Sequence, residues 1–129
     1  MMNISNLFFN DKQNLIILIS IWIGLMFIIN PFGDFPLNDD LSYAKPVQLL
    51  LNGEGIKFTG WMSMTLFSQV VWGALWCKIF GFSFTVLRFS TLFLGGIGVI
   101  YSYKLLSQFL KSSQMVFLFT LLVLFNPIY

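Results

Sequence analysis

The chain has no histidine, one cysteine, four prolines and very little charge. Each shortage removes a class of function. A lone Cys77 forms no intramolecular disulfide, and zinc centres built from clustered Cys and His have no ligands here. Charged residues make up 9% of the 129 residues, against about 25% in a soluble domain. So few charges do not furnish a solvated surface around a water-excluded core. The seven Lys and Arg are dispersed and leave a net charge of +2, so there is no basic patch for nucleic acid. Chemistry is left to Asp, Glu, Lys, Arg, Tyr, Ser and Thr.

What is present is apolar. Hydrophobic residues make up 57%, with sixteen Phe and four Trp, and mean hydropathy is +0.83. This composition predicts an all-α, polytopic transmembrane protein in which lipid covers most of the surface. No charge falls between Gln13 and Gly33, a run with room for one crossing of a core about 30 Å thick. Pro31 and Gly33 are its stop signals. A cleaved signal peptide is the competing reading, but the first fourteen residues carry one Lys and one Asp, and no small-residue cleavage site follows.

The expected spans are about 14–33, 84–106 and 114–129. Residues 62–80 read as a spanning or a juxtamembrane segment. Leu41 to Asn52 reads as a short helix divided or kinked by Pro46 and stopped by Gly53. In the 84–106 span, Gly95, Gly96 and Gly98 permit close helix packing, and Tyr101 and Tyr103 suit an interfacial aromatic belt. The ending at Pro127-Ile128-Tyr129 reads as a truncation. Lys and Arg divide three against four between the two sides, whether or not 62–80 crosses, so charge bias does not set the orientation.

Either way, segment 34–61 lies across the membrane from the N-terminus and holds four of the five acidic residues: Asp34, Asp39, Asp40 and Glu54. A carboxylate here can take a proton from an attacking hydroxyl or bind a divalent cation. Helix capping is the plainer role for Asp39 and Asp40. Lys45, Lys57 and Arg88 are candidate anion partners, with Arg88 alone suited to bidentate phosphate contact or, alternatively, to anchoring its helix at the interface. Tyr43 and Trp61 can stack on a sugar or sit in the aromatic belt.

The run Phe35-Pro36-Leu37-Asn38-Asp39-Asp40-Leu41-Ser42-Tyr43-Ala44, followed by Leu50-Leu51-Asn52-Gly53, resembles the first external loop of polytopic GT-C glycosyltransferases. It is most similar to the group of protein mannosyltransferases and aminoarabinose transferases. Ile79-Phe80-Gly81-Phe82-Ser83, Leu87-Arg88-Phe89-Ser90, Tyr103-Lys104-Leu105-Leu106 and Phe125-Asn126-Pro127 extend the resemblance, which covers about residues 30–129. The proline-bearing element such enzymes carry before this region is replaced by Gly60-Trp61-Met62-Ser63-Met64.

The resemblance implies a glycosyltransferase that moves a sugar from a polyprenyl-phosphate donor to an acceptor at the external face. Asp39 is then catalytic, as base or as ligand to a divalent metal ion, the one cofactor left open. Asp40 takes the place of the second acidic residue. Arg88 with Lys57, Tyr43 and Trp61 would contact substrate. The implied setting is a multi-pass integral membrane protein, in the plasma (inner) membrane if bacterial. Its partners are the bilayer, the lipid-linked sugar and the remaining helices of a longer chain. The alternative is a small non-enzymatic membrane subunit packing through its glycine face. Half of a transporter ranks below both, because the charges sit only at span ends.

Overall fold

The computed structural model describes residues 10–37, 40–58, 60 and 67–125. Among the described residues there are five helices: α1 (Asp11–Ile29), α2 (Asp40–Leu51), α3 (Phe67–Phe80), α4 (Phe84–Phe109) and α5 (Ser113–Leu124). No strand occurs among the described residues. The all-α expectation therefore holds.

Local chemistry sets the helix ends. Asn10 caps α1 by accepting from the Gln13 backbone N–H, while the Gln13 side chain accepts from the Asn10 N–H. This reciprocal pair satisfies two of the orphan donors of the first turn, and Asp11 there favours the helix dipole. The helix stops at Asn30, which takes a left-handed conformation (φ 52°) and donates to Met26 O at 3.1 Å. Asn tolerates that conformation better than most residues.

Pro46 sits inside α2 without dividing it. Of the two expected effects, kinking or division, the division does not occur. The ring removes one helical donor, but Pro46 is buried in the packing of its unit, which holds the helix continuous across it. Gly53 (φ 80°) ends α2 as expected. Its N–H donates to Leu50 O and that of Glu54 to Leu49 O, the paired bonds of a Schellman ending. Gly81 (φ 87°) ends α3 in the same left-handed way, and Ser83 Oγ accepts from the Thr85 N–H to start α4.

α1 has 19 residues and α4 has 26, which gives lengths of about 28 and 39 Å. Both are long and apolar enough to cross a membrane, and only 11% of the apolar window in each is buried. The core helix of a soluble protein would be mostly covered. Instead Phe27, Ile28 and Ile29 on α1, and Tyr101, Leu105 and Phe109 on α4, are each more than half exposed. α5, at 12 residues, covers only part of the expected 114–129 span, and residues 126–129 lie outside the described set.

The chain forms two compact units. One holds residues 1–30 and 93–129, the other 31–92. In the first, Leu18, Val99, Tyr103, Val116 and Leu124 form the buried core. Trp22 lies flat against Gly95 and Gly96 there: a Cβ on Gly95 would stand 2.5 Å from its Cζ2, and one on Gly96 3.3 Å from its Nε1. The close-packing role read from the glycines holds for these two, whereas Gly98 meets nothing within 4 Å. In the second unit, α2 packs on α3 around Val47, Val70, Ala74 and Cys77. Gly73 lets Leu87 and Val47 close over it, since a Cβ would stand 2.8 Å from Leu87 Cδ2.

Candidate functional site

The acidic loop belongs to the second unit, where it is bound to the start of α4. Asp34 Oδ1 accepts from the Phe84 N–H at 2.8 Å, so a side chain fifty residues upstream caps α4. The Gly33 N–H donates to Thr85 Oγ1 at 3.2 Å. Gly33 has φ 138°, and a Cβ there would strike the Phe35 ring, so glycine is required. Phe32 packs edge-on against Phe89 at 5.4 Å between ring centroids.

Arg88, one turn into α4, gathers the rest of the loop. Its Nε and Nη2 donate to Asp40 Oδ2 at 3.2 and 2.7 Å. Nη1 donates to Gly33 O at 2.9 Å and to Pro31 O at 3.4 Å, and Nη2 to Phe35 O at 2.6 Å. The guanidinium also lies over the Phe35 ring, 5.6 Å from its centroid. Its side chain is 16% exposed and that of Asp40 34%. In this partly buried setting the charge-assisted bonds are stronger than those of a solvated surface pair. Asp40 Oδ2 accepts a third bond from the Leu37 N–H at 3.0 Å, while the Asp40 N–H donates to Leu37 O.

The sequence-derived candidates are thus partly brought together. Asp40 and Arg88 meet directly. Lys57 pairs instead with Glu54 at 3.1 Å, with both side chains well exposed, a contact worth little. Tyr43 is half-buried on α2. Asp39 and Trp61 lie outside the described residues. Among the described residues no three Asp, Glu, Cys or His side chains converge as metal ligands. Asp34 and Asp40 each accept protein donors, and Asp40 adjoins a guanidinium that would repel a cation. These two carboxylates do not fit a divalent ion.

A second polar cluster escaped the sequence reading. In the first unit, Asp11 Oδ1 accepts from Tyr103 Oη and Ser113 Oγ, each at 2.9 Å. Asn14 Nδ2 donates to Ser113 Oγ at 2.9 Å and to Tyr103 Oη at 3.4 Å. Asn14 and Tyr103 are both buried. Tyr103 is therefore not a belt residue: it ties the last turns of α4 to the first turns of α1 and α5. The local signal that was available was an Asn, an Asp and a Gln at the head of an apolar run.

No family model, curated protein or solved structure matches the chain.

Proposed function

We propose that the chain is part of a polytopic membrane glycosyltransferase of the GT-C kind, which transfers a sugar from a polyprenyl-phosphate donor to an acceptor at the external membrane face. The observation that carries the reading is the attachment of the acidic loop to the first turn of α4 through Asp34 and Arg88. It gathers carboxylates at the ends of two helices long enough to cross a bilayer, where the head group of a lipid-linked donor resides. The resemblance of the loop to the first external loop of such enzymes supplies the chemistry.

Helix direction supports the topology. In the first unit Tyr103, late in α4, reaches Asp11 at the head of α1, so the two run antiparallel. In the second, Asp34 in the acidic loop bonds Phe84 at the head of α4. The resemblance implies that 62–80 is a juxtamembrane segment and not a crossing, which puts Arg88 on the external side. Lys12, Lys104 and Lys111 fall on the opposite side from Lys45, Lys57, Lys78 and Arg88. Further transmembrane helices complete the enclosure of the donor, in a multi-pass protein of the plasma (inner) membrane if the source is bacterial.

In the reaction, an acceptor heteroatom attacks the anomeric carbon. The bond from that carbon to the phosphate oxygen breaks, and polyprenyl phosphate leaves with the electron pair. Asp39 takes the proton released by the acceptor. The test is sugar transfer in membranes carrying the full chain. Asp39→Asn is expected to lower the rate by at least about a hundredfold, the lower range for loss of a general base. A wild-type rate in that variant removes the proposal.

A further inference from the structure

We infer that the end of the first unit where α1 begins and α4 finishes is a docking surface for an anionic phospholipid, whose phosphate is met by Lys12, Lys104 and Lys111. The inference goes beyond the glycosyltransferase reading and needs only that α1 and α4 cross the bilayer.

Charge is unevenly divided along the chain. Residues 1–30 and 93–129, which make up the first unit, hold three lysines and a single acid, Asp11, and so carry the whole net charge of +2. Residues 31–92 hold four bases and four acids, which balance. Hydrogen bonds collect the three lysines at one end of the first unit. Asp11, next to Lys12, accepts from Tyr103, next to Lys104, and from Ser113, two residues past Lys111, each at 2.9 Å. The same bonds commit an oxygen of the unit's one acidic side chain to hydroxyls rather than to ammonium groups. Among the described residues none of the three lysines forms an ion pair, and all three are exposed. Their charge is left for a partner from outside the chain.

The surface beneath them selects a lipid over a soluble anion. Lys12 lies in the first turn of α1, and helical spacing puts it in line with the exposed Ile16 and Phe27. Lys104 is in line with the exposed Tyr101 and Leu94, and its ammonium lies 5.4 Å from the Tyr101 ring centroid. Lys111 comes just before α5, on which Met115 and Leu122 share one exposed stripe. Each lysine therefore heads an apolar stripe, which on α1 runs about 22 Å from Lys12 to Phe27. A phospholipid has the matching form: acyl chains that lie along the helices and a phosphate at the depth of the ammonium groups. A soluble anion would use the charge and leave the stripes bare. Lysines act as point charges without a planar fork, so the surface reads negative charge at one membrane depth rather than the shape of one head group.

The test reconstitutes the full chain in phosphatidylcholine vesicles containing spin-labelled phosphatidylglycerol or spin-labelled phosphatidylcholine. The fraction of each label immobilised on the protein gives its preference for the anionic lipid. One lysine at a charged membrane surface is worth about fivefold in binding. Wild type is expected to prefer phosphatidylglycerol by at least about fivefold, and the triple variant Lys12→Gln, Lys104→Gln, Lys111→Gln by less than about twofold. The triple variant Lys12→Arg, Lys104→Arg, Lys111→Arg keeps the charge and is expected to keep the preference. Lys45→Gln, which removes a base from residues 31–92, is expected to leave it unchanged. Inorganic phosphate at the concentration of the labelled lipid is expected to displace nothing. Equal preference in wild type and the glutamine variant would overturn the inference, as would an equal loss in Lys45→Gln or in the arginine variant. Displacement by inorganic phosphate would make this a site for soluble anions and overturn it too.

Discussion

The indole of Trp22 on α1 rests directly on Gly95 of α4, with no room for a β-carbon between them. Two helices that expose most of their apolar surface are joined here by an aromatic plate over a flat backbone. In lipid, where apolar surface gains little from leaving its surroundings, this kind of close contact drives helix association. Gly95→Leu is therefore expected to lower the stability of the first unit by about 1–3 kcal/mol through overpacking. Gly98→Ala, which meets open space, should be neutral or slightly stabilising. Thermal melts in detergent of the two variants check this. Equal losses would contradict the packing assignment.

Tyr103 offers a second test, because its hydroxyl joins Asp11 and Ser113 in a buried setting. Tyr103→Phe keeps the ring and deletes one donor to the carboxylate. A loss of about 1–3 kcal/mol is expected, the range for a hydrogen bond to a charged group whose partner is left short of donors. A denaturation titration measures it. An interfacial belt tyrosine would lose almost nothing.

Gly33 is the position where the loop tolerates least. Its φ of 138° is nearly closed to other residues, and the Phe35 ring fills the space of a β-carbon. Gly33→Ala is expected to loosen the Arg88 grip and to cost about 1–3 kcal/mol in the second unit. Gly55→Ala, also left-handed but in open space, should cost less. Limited proteolysis between Pro31 and Asp40 separates the two.

Cys77 is buried between α2 and α3. Burial pushes its thiol up from the ordinary value, against a smaller opposing hydrogen bond with the Ser83 backbone. Little thiolate then exists at neutral pH, and the sulfur is shielded. Maleimide labelling of the native chain is expected to be slow at pH 7, to rise with pH, and to become rapid on unfolding. Rapid labelling of the folded protein at pH 7 would show that the α2–α3 packing is wrong.

Much of the fold was legible because span length and apolar content are local quantities. α1 and α4 begin and end within a few residues of the expected spans. α1 starts three residues earlier than position 14 because Asn10 and Gln13 cap each other, a spacing visible in the sequence beside the charges at Asp11 and Lys12. It ends before Pro31 because Asn30 takes the left-handed conformation. Gly53 is readable as a stop, whereas Pro46 does not divide α2, since neighbours far along the chain decide whether a helix survives a proline.

The candidate site was less legible. Arg88 and Asp40 could be named as charged residues of one region, but their pairing joins positions 48 apart, and Tyr103 reaches Asp11 across 92. No local pattern encodes such contacts. The backbone carbonyls that Arg88 grips carry no sequence signal at all, so a loop anchor and a phosphate ligand look alike until the fold is known.

In the proposed topology the acidic loop faces the outside while the far end of α4 faces the cytoplasm. Single cysteines at position 39 and at position 111, each in a Cys77→Ser background, measure this directly with a membrane-impermeant maleimide on sealed cells. With that topology Asp39→Cys is labelled from outside and Lys111→Cys only after permeabilisation. Labelling of Lys111→Cys from outside, with Asp39→Cys protected until the membrane is opened, would contradict it.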